Sequence, residues 1–591
     1  MRLSEANKLL YLALCLLLVV SPTVAESEGD ETLDKLMERE WKRLAAEQPL
    51  LAIYLGEPSE SLWPENSLEQ RRKRFHHYGE VIEELNKLSP QSLSPSQQIN
   101  RRLFRQQLEW QRAYVDHNLD FMSMNQREGL HTLARLSSSI DFREMEDYRR
   151  WVERLESFQR YAAAEQAFLL EAIRLNRVHP KIIAQRILKQ VKAQPRLHEV
   201  PEKSPFYQPF RQADSKLREN AQFKDLALRA RGAIKNQVGP AYSEFAHFLE
   251  THYLPAAPEQ VGLGRLPGGQ KAYQFLIGRY TTTKLSAEEI HQLGLREVAR
   301  IRKLMEEIKA EVGFEGSLEQ FFDHLRTAPE HYLKDPQELL RRYRSFCKRV
   351  DGQMPKFFKT LPRKPYGVEP IPEYIAPETT TAYYLPGAGD LAGTYSVNLY
   401  QPETRALFEI PALSLHESVP GHHHQIALAQ ELPNLPAFRR ESAGFGDYTV
   451  FVEGWALYAE SLGEEMGLYE DPYDRFGRYT YEMWRAIRLV LDTGIHAKGW
   501  SREQSIEYFL NNSPRSELDI TNEVDRYIAW PGQALAYKMG ELEIKRLRIK
   551  AEEALGDRFD IRTFHDAVLR QGAVPLDQLE RQIAEFIDVS R

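Results

Sequence analysis

The sequence predicts a mostly α-helical fold that contains one small β-sheet. Apolar residues recur at three- and four-residue spacing through 33–254, and again from residue 404 almost to the end, with Arg, Glu and Gln on the opposite faces. At 367–399 the pattern changes to prolines, tyrosines and threonines, which predicts two or three strands. With 42% hydrophobic and 28% charged residues, the 591-residue chain has an ordinary globular composition, which excludes a collagen-like or disordered protein.

The first 25 residues have the pattern of a secretory signal peptide. A positively charged start precedes an unbroken apolar run at 9–20, and a small-x-small pattern at 23–25 predicts cleavage after residue 25. The run is too short for a comfortable membrane span, although an uncleaved anchor is the alternative. Cys15 hints at a lipoprotein signal, but Leu14 before it is larger than the usual small residue. We therefore expect export across the inner membrane to the periplasm.

The mature chain is predicted to consist of a helical region at 26–254 and a second region at 255–591. Proline-containing breaks at 89–96, Pro180 and 195–209 separate the first helices. The break at 195–209 has scattered prolines and polar residues, so it is the best candidate for a hinge or a long surface loop. No later run approaches 18 consecutive apolar residues, so no membrane span is expected in the mature chain.

The second region begins with two contrasting signals. Residues 273–283 are rich in aromatic, branched and threonine side chains, which predicts a short strand. Ser286 and Glu289 then form a capping box, which predicts a helix to about residue 312. The small sheet is expected at 370–399, and helices follow it.

Charge and cysteine content narrow the possible partners. The net charge is -7 and the pI is about 6.2, which argues against nucleic acid, since that ligand requires a basic face. Removal of the signal segment leaves Cys347 as the single cysteine, so no internal disulfide can form. We expect Cys347 to be a passive buried thiol. The oligomeric state is not predictable from the sequence.

The densest chemical cluster is His416-Glu417 followed by histidines at 422, 423 and 424. Neutral imidazoles bind zinc, and a glutamate next to a ligand can accept a proton from an activated water, so this cluster suits a zinc hydrolase. The usual H-E-x-x-H spacing fails here because residue 420 is proline. The alternative is a surface histidine patch at a helix break.

A regular helix through this cluster could not chelate a metal ion. His422 would be rotated by about 240° from His416, and His423 would lie about 10 Å further along the helix axis. Pro420 removes a helical hydrogen bond and Gly421 tolerates unusual dihedral angles. A local bulge of about two residues would bring His422 to the position of the second ligand.

Two glutamates follow within an apolar, aromatic helical segment. Glu453 and Glu460 are seven residues apart and share one helix face. Carboxylates among Phe451, Val452, Trp455 and Leu457 are costly to bury unless a cation or a metal ion compensates them. The alternative is that both glutamates are ordinary solvated residues.

Three separated motifs resemble the bacterial domain-of-unknown-function family 885 (DUF885), and the likeness extends from about residue 30 to the end. The motifs are HExxPGHHxQ at 416–425, EGWAxYxE at 453–460 and RYxxxPGQAxxYKxG at 526–540. This family is grouped with gluzincin-type zinc metallopeptidases, which include thimet oligopeptidase, the Taq-type carboxypeptidases and angiotensin-converting enzyme. The resemblance implies a large helical body that encloses a groove, one zinc ion, and a peptide substrate beside the small sheet.

The resemblance also implies roles for single residues. His416 and His422 correspond to the histidine ligands, Glu453 to the third ligand, and Glu417 to the general base. Because the spacing is unusual, His423 is an alternative to His422 as the second zinc ligand. If His423 is not a ligand, we expect it to contact the substrate. Zinc is the expected cofactor, although cobalt or manganese could use the same ligands.

The third motif and the sheet supply candidates for substrate binding. Tyr527 and Tyr537 are candidates to stabilise the oxyanion, and we favour Tyr527 because Arg526 beside it could hold a substrate carboxylate. Either tyrosine could instead be a packing residue. Asn398 and its neighbours could pair with the substrate backbone as an edge strand, and ordinary sheet membership is the alternative.

The predicted function is therefore that of an exported zinc-dependent metallopeptidase, a hydrolase acting on oligopeptides as an exo- or oligopeptidase. One alternative is a catalytically inactive exported protein that binds peptides or metal. The other is a zinc amidase that acts on a non-peptide amide such as a cell-wall fragment.

Overall fold

The computed structural model describes five ranges of the chain, which are 28–55, 62–373, 376–387, 391–441 and 448–591. The predicted signal peptide at 1–25 lies outside them. Within these ranges the protein is mostly helical and contains one small sheet, as predicted. None of the helices in the described ranges combines the length and the apolar composition that a membrane crossing requires.

The first region is built from amphipathic helices whose apolar faces form the core. Seven of them have eight or more residues, namely α1 (Glu28–Glu47), α2 (Leu68–Lys87), α3 (Pro95–Asp116), α4 (Met145–Arg174), α5 (Lys181–His198), α6 (Ala221–Ala233) and α7 (Gly239–Phe248). Ser67, Ser94 and Asn220 each cap a helix N-terminus with a side-chain oxygen.

The break at 195–209, which was predicted to be a hinge or a long surface loop, is not a long loop. Pro195 lies inside α5, so the helix continues to His198 before it ends. Two short 3-10 turns follow, at Pro201–Lys203 and Pro205–Tyr207. The side chains of Phe206 and Tyr207 are buried in the core, so the segment is a packed connection and not a long surface loop.

Four helices lead to the sheet, namely α8 (Gly269–Thr281), α9 (Ala287–Glu311), α10 (Leu318–Thr327) and α11 (Pro336–Asp351). The predicted strand at 273–283 is wrong, because these residues form most of α8. Tyr273, Leu276 and Ile277 are buried at helical spacing, and this pattern prevails over the strand-like composition. The predicted capping box is confirmed, since Ser286 and Glu289 bond reciprocally at the start of α9.

The sheet has three strands, β1 (Tyr366–Pro370), β2 (Ala382–Leu385) and β3 (Gly393–Val397), in the order β1-β3-β2. β3 is central: it pairs in parallel with β1 and antiparallel with β2. β2 is therefore an edge strand. Arg344 of α11 ties β1 to the helices by donating to the Val368 carbonyl oxygen at 2.9 Å.

The remaining helices surround the predicted metal-binding residues. They are α12 (Ile410–Glu417), α13 (His422–Glu431), α14 (Thr449–Glu465), α15 (Pro472–Ala497), α16 (Arg502–Leu510), α17 (Glu517–Ala529), α18 (Ala536–Leu555), α19 (Ile561–Leu569) and α20 (Leu576–Ser590). α9 packs along α15, and α14 packs along α18. One hydrophobic core extends from Leu33 to Ile587.

Candidate metal centre

α12 carries His416 and Glu417 in its last turn. All eight residues of this short helix are buried, because its apolar residues pack against α11, α14 and α15. Cys347 of α11 lies behind it, with its sulfur 3.6 Å from Ser418 Oγ. Burial raises the pKa of the Cys347 thiol to about 11, so the thiol is passive, as predicted.

The chain breaks between α12 and α13 instead of bulging within one helix. α12 ends at Glu417, a tight turn with a cis Val419–Pro420 peptide bond follows, and His422 is the first residue of α13. Gly421 is required for this path, because a Cβ there would lie 2.0 Å from the His416 carbonyl oxygen. The break thus returns His422 to His416, although the predicted two-residue bulge was the wrong description of it.

α14 brings the third group to the break. Trp455 Nε1 donates to the Pro420 carbonyl oxygen at 2.7 Å, which holds α14 against the turn. Gly454 allows α14 to approach α18 closely, since a Cβ at Gly454 would lie 2.4 Å from Gly540 Cα. These contacts fix the position of Glu453, which directly precedes Gly454 and Trp455 in the chain.

His416, His422 and Glu453 converge as the sequence predicts. Glu453 Oε2 lies 3.5 Å from the Nε2 atom of each histidine, and one ligand atom from each residue falls within 4.8 Å of the other two. Tetrahedral zinc with ligand distances of about 2.0–2.1 Å requires its ligand atoms to be roughly 3.4 Å apart. Both Glu453 Oε2 and His422 Nδ1 are buried without a hydrogen-bond partner in the described ranges. The donor set and its spacing therefore fit a zinc ion.

The carboxylate of Glu460 orients His416. Its Oε1 atom lies 2.8 Å from His416 Nδ1, so Nε2 is directed toward Glu453. This is the carboxylate–histidine arrangement that fixes metal-binding imidazoles in proteins. Arg485 Nη2 in turn lies 3.4 Å from Glu460 Oε1. The sequence placed Glu460 on the correct helix face but assigned it no role.

The local charges are strongly coupled. Burial alone would lower the pKa of His416, but the carboxylates of Glu453 and Glu460 raise it to about 9. Burial likewise opposes ionisation of Glu453, yet the His416 and His422 imidazoles beside its carboxylate hold the Glu453 pKa well below its usual range. A bound cation would displace the proton that this raised pKa leaves on His416, because only a neutral imidazole binds a metal ion.

Glu417 lines a cavity of about 270 Å³ together with the three candidate ligands. Glu417 directly follows His416 in the chain, and it is 9% exposed. β2 and the turn before it form another wall of the cavity, through residues 380–384. A substrate in this cavity would therefore contact the edge strand of the sheet and the carboxylate of Glu417.

Asn398 does not lie on the edge strand that faces the cavity. It follows the central strand β3, and its Nδ2 atom donates to the carbonyl oxygens of Ala376, Thr379 and Thr380 at 2.8–3.1 Å. Its side chain is therefore committed to the turn that precedes β2. The strand that lines the cavity is therefore β2, and not the segment around Asn398 for which a substrate-binding edge was predicted.

The two predicted tyrosines have different surroundings. The Tyr527 hydroxyl accepts hydrogen bonds from Trp484 Nε1 at 2.8 Å and Arg488 Nε at 3.0 Å, and Tyr527 is not among the residues that line the cavity. Tyr537 lines the cavity, and its hydroxyl accepts from Arg526 Nη2 at 3.2 Å. Arg526 also lines it. The preference for Tyr527 over Tyr537 is therefore not supported by their positions.

His423 and His424 point away from the candidate ligands. His423 Nδ1 lies 2.9 Å from the Tyr384 hydroxyl and its Nε2 lies 3.1 Å from the Lys364 carbonyl oxygen, so both ring nitrogens are engaged. His424 is fully buried and packs on Phe358, with ring centroids 4.5 Å apart. His423 is thus neither a second ligand nor a cavity-lining residue, and it supports Tyr384, which lines the cavity.

Several cavity residues escaped the sequence interpretation. Arg485 and Arg488 of α15 line the cavity, and so does Arg127 from the segment before α4. Two arginines three residues apart within the apolar stretch 483–491 are a detectable signal, because buried charges there require partners. Arg127 has no comparable local signal.

Two solved structures are similar to this protein. One is a candidate lipoprotein from Colwellia psychrerythraea, with a TM-score of 0.88 and 28% identity over 95% of this chain and 100% of that chain. The other is a candidate lipoprotein of unknown function from Shewanella oneidensis, with a TM-score of 0.69 and 17% identity over 93% and 99% of the two chains, which shows a shared fold alone. None of the curated protein sequences gives a significant match. The family model for bacterial proteins of unknown function, DUF885, matches residues 49–583, and the chain therefore belongs to the DUF885 family.

Proposed function

We propose that this protein is a zinc-dependent hydrolase of peptide bonds. The observation that carries the proposal is the convergence of His416, His422 and Glu453 beside Glu417. Two imidazoles and one carboxylate form the ligand set of several catalytic zinc sites, which leave one position open for water or substrate. Glu417 borders the same cavity, where a general base is needed.

A zinc ion in this site would supply Lewis acidity, which polarises a carbonyl group and acidifies water. Glu417 would accept the proton of the attacking water and return it to the leaving amine. In the balanced reaction the carbon–nitrogen bond breaks, water supplies the new carbon–oxygen bond, and the amine takes the proton. No redox partner is required.

We assign the oxyanion contact to Tyr537 in place of Tyr527. The Tyr537 hydroxyl borders the cavity and accepts a hydrogen bond from Arg526, so its own proton is available to a ligand. Tyr527 instead serves as an acceptor for Trp484 and Arg488 behind the cavity wall. Its role would be to position Arg488.

A peptide is the substrate that suits the edge strand. β2 is the edge strand that lines the cavity, through Ala382, Tyr383 and Tyr384, so an extended peptide in the cavity would lie along this strand. The cavity of about 270 Å³ favours short peptides over folded proteins. Export of the protein, as its first 25 residues predict, agrees with the description of both structural neighbours as candidate lipoproteins.

Metal content and the Glu417→Gln variant together test the proposal. Protein purified without chelators should contain about one zinc per chain, and Glu417→Gln should retain that zinc while peptide hydrolysis falls by at least about 100-fold. Glu465→Gln is a matched control. Glu465 pairs with Arg548 at 2.6 Å and is not among the residues that line the cavity.

Three results would refute parts of this proposal. Unchanged hydrolysis by Glu417→Gln would remove Glu417 from its role. A zinc-loaded protein that hydrolyses muropeptides but no dipeptide or blocked peptide would instead point to the non-peptide amidase. Zinc binding without any hydrolysis would favour a binding protein.

A further inference from the structure

The cavity beside the candidate ligands has an excess of positive charge. Arg127, Arg488 and Arg526 surround the single carboxylate of Glu523, with N–O distances of 3.5, 3.2 and 3.3 Å. Three guanidinium groups and one carboxylate leave a net charge of about +2, because arginine stays protonated in proteins. We call these four residues the arginine wall.

Two members of the arginine wall, Arg488 and Arg526, are buried and retain unused donors. Arg488 is 2% exposed and stacks on the Tyr537 ring, with its guanidinium carbon 4.2 Å from the ring centroid. Its Nη1 atom and Arg526 Nε are buried without a hydrogen-bond partner in the described part of the chain. A buried charged donor without an acceptor is costly, so the wall favours an anionic ligand that brings acceptors.

A second cavity of about 530 Å³ adjoins the first at Glu453, which lines both cavities. Its lining is largely apolar and aromatic, and it includes Tyr114, Leu119, Met122, Leu276, Tyr280 and Trp530. Its charged members are Glu128, Arg279 and Glu453. Glu453 thus borders both the cavity that contains the arginine wall and a largely apolar one.

We propose that the substrate is a peptide with a free C-terminal carboxylate bound by the arginine wall, and with a large apolar or aromatic side chain in the second cavity. This inference rests on the proposed hydrolysis. The carboxylate belongs to the part of the peptide that leaves as the amine, so the enzyme releases a short C-terminal fragment. Guanidinium groups bind carboxylates through paired hydrogen bonds, which explains why arginine occupies this wall.

Matched peptides test the inference. Peptides with one aromatic residue and a free C-terminus are compared with their C-terminal amides, and products are identified by mass spectrometry. We expect amidation to lower kcat/KM by roughly 100-fold, because the buried arginines then lose their anionic partner. A second pair of peptides ends in Glu or in Gln, each with a free C-terminus, and tests for recognition of an acidic side chain. If the arginines bind the terminal carboxylate, this replacement should change kcat/KM much less than amidation does.

Arg127→Gln is the variant of choice, because the Arg127 side chain is 35% exposed and its loss is tolerable for folding. It should lower kcat/KM for the free carboxylate about tenfold, with little effect on the amide. Arg229→Gln is the control, since Arg229 is an exposed arginine that pairs with Glu156 on the surface. It should leave the preference for the free carboxylate unchanged.

Binding to the Glu417→Gln protein separates this inference from the proposed function. Calorimetry with the same peptides should give tighter binding of the free carboxylate, and Arg127→Gln in that background should reduce the difference. If the protein binds the free carboxylate more tightly than the amide but the unsubstituted protein hydrolyses neither, the proposed hydrolase is refuted. The role of the arginine wall in carboxylate binding would then still stand. Turnover with equal rates for carboxylate and amide would overturn the inference alone, and neither binding nor turnover would overturn both.

Discussion

His422 and His423 are adjacent residues with opposite surroundings. His422 directs Nε2 toward Glu453, whereas His423 is engaged by Tyr384 and Lys364. We expect His422→Gln to weaken zinc binding by more than about 100-fold, since one of three protein ligands is lost. His423→Gln should retain zinc. Competition with a chelator measures both affinities, and the reverse order would make His423 the second ligand.

Tyr537 and Tyr527 form a second contrasting pair. Tyr537→Phe should lower kcat by about 100-fold without a large loss of stability, because its hydroxyl faces the cavity. Tyr527→Phe removes the acceptor of two buried donors, so it should cost about 1–3 kcal/mol of unfolding free energy. Steady-state kinetics and urea unfolding of both variants measure these effects. A loss of kcat confined to Tyr527→Phe would restore the original prediction.

At the scale of elements, the close packing of α14 on α18 supports the position of Glu453. In Gly454→Ala the new methyl group would meet Gly540 Cα at 2.4 Å, so the two helices must separate. We expect a destabilisation of about 1–3 kcal/mol and weaker zinc binding. Gly232→Ala in α6 is the control, because a Cβ there meets no atom within 4 Å, and it should stabilise by roughly 0.5–1 kcal/mol. Equal stabilities of the two variants in urea unfolding would contradict this account.

The elements that local signals specify were predictable from the sequence. The capping box at Ser286 and the Pro420-Gly421 break are examples, and the break brought His422 to the correct side through a different backbone path. The strand predicted at 273–283 is a helix, α8. Its aromatic and branched composition indicates a strand, but the helical spacing of its buried residues decides the structure.

The candidate site was predictable only where its residues are close in sequence. His416, His422 and Glu453 fall within 38 residues, so the helix break and the two helices that follow it, α13 and α14, are enough to join them. Arg127 reaches the same cavity from almost 290 residues earlier, and only tertiary packing determines that contact. The same reason explains the error over Tyr527, because nothing local distinguishes which tyrosine of the motif faces the cavity.

At the scale of the whole molecule, α15 connects the site with helices from several parts of the chain. Four of its buried polar side chains bond four different helices. These links are Glu482 to Lys538 of α18, Arg485 to Glu460 of α14, Arg488 to Glu523 of α17, and Asp492 to Tyr273 of α8. A change in the charge of one link therefore affects the stability of the fold and not only the cavity.

Asp492 makes that link dependent on pH. Tyr273 donates to it at 2.5 Å and the Gly532 amide donates at 3.0 Å, while burial raises the pKa of Asp492 from 3.8 to about 7. The folded protein thus holds a proton that the unfolded chain releases above about pH 4. The contribution of this group to stability is complete below about pH 4 and falls as pH rises toward 7, where the buried carboxyl ionises.

Asp492→Asn should remove this dependence, because an amide oxygen can accept the same hydrogen bonds without ionising. We expect the variant to gain about 3 kcal/mol relative to the unsubstituted protein between pH 5 and pH 8, at roughly 1.4 kcal/mol for each pKa unit. Urea unfolding at both values measures the difference, and Asp588→Asn on an exposed face controls for the loss of one acid. If the two variants responded equally to pH, Asp492 would already be ionised in the folded protein at pH 5, and the link to Tyr273 would not depend on pH in this range.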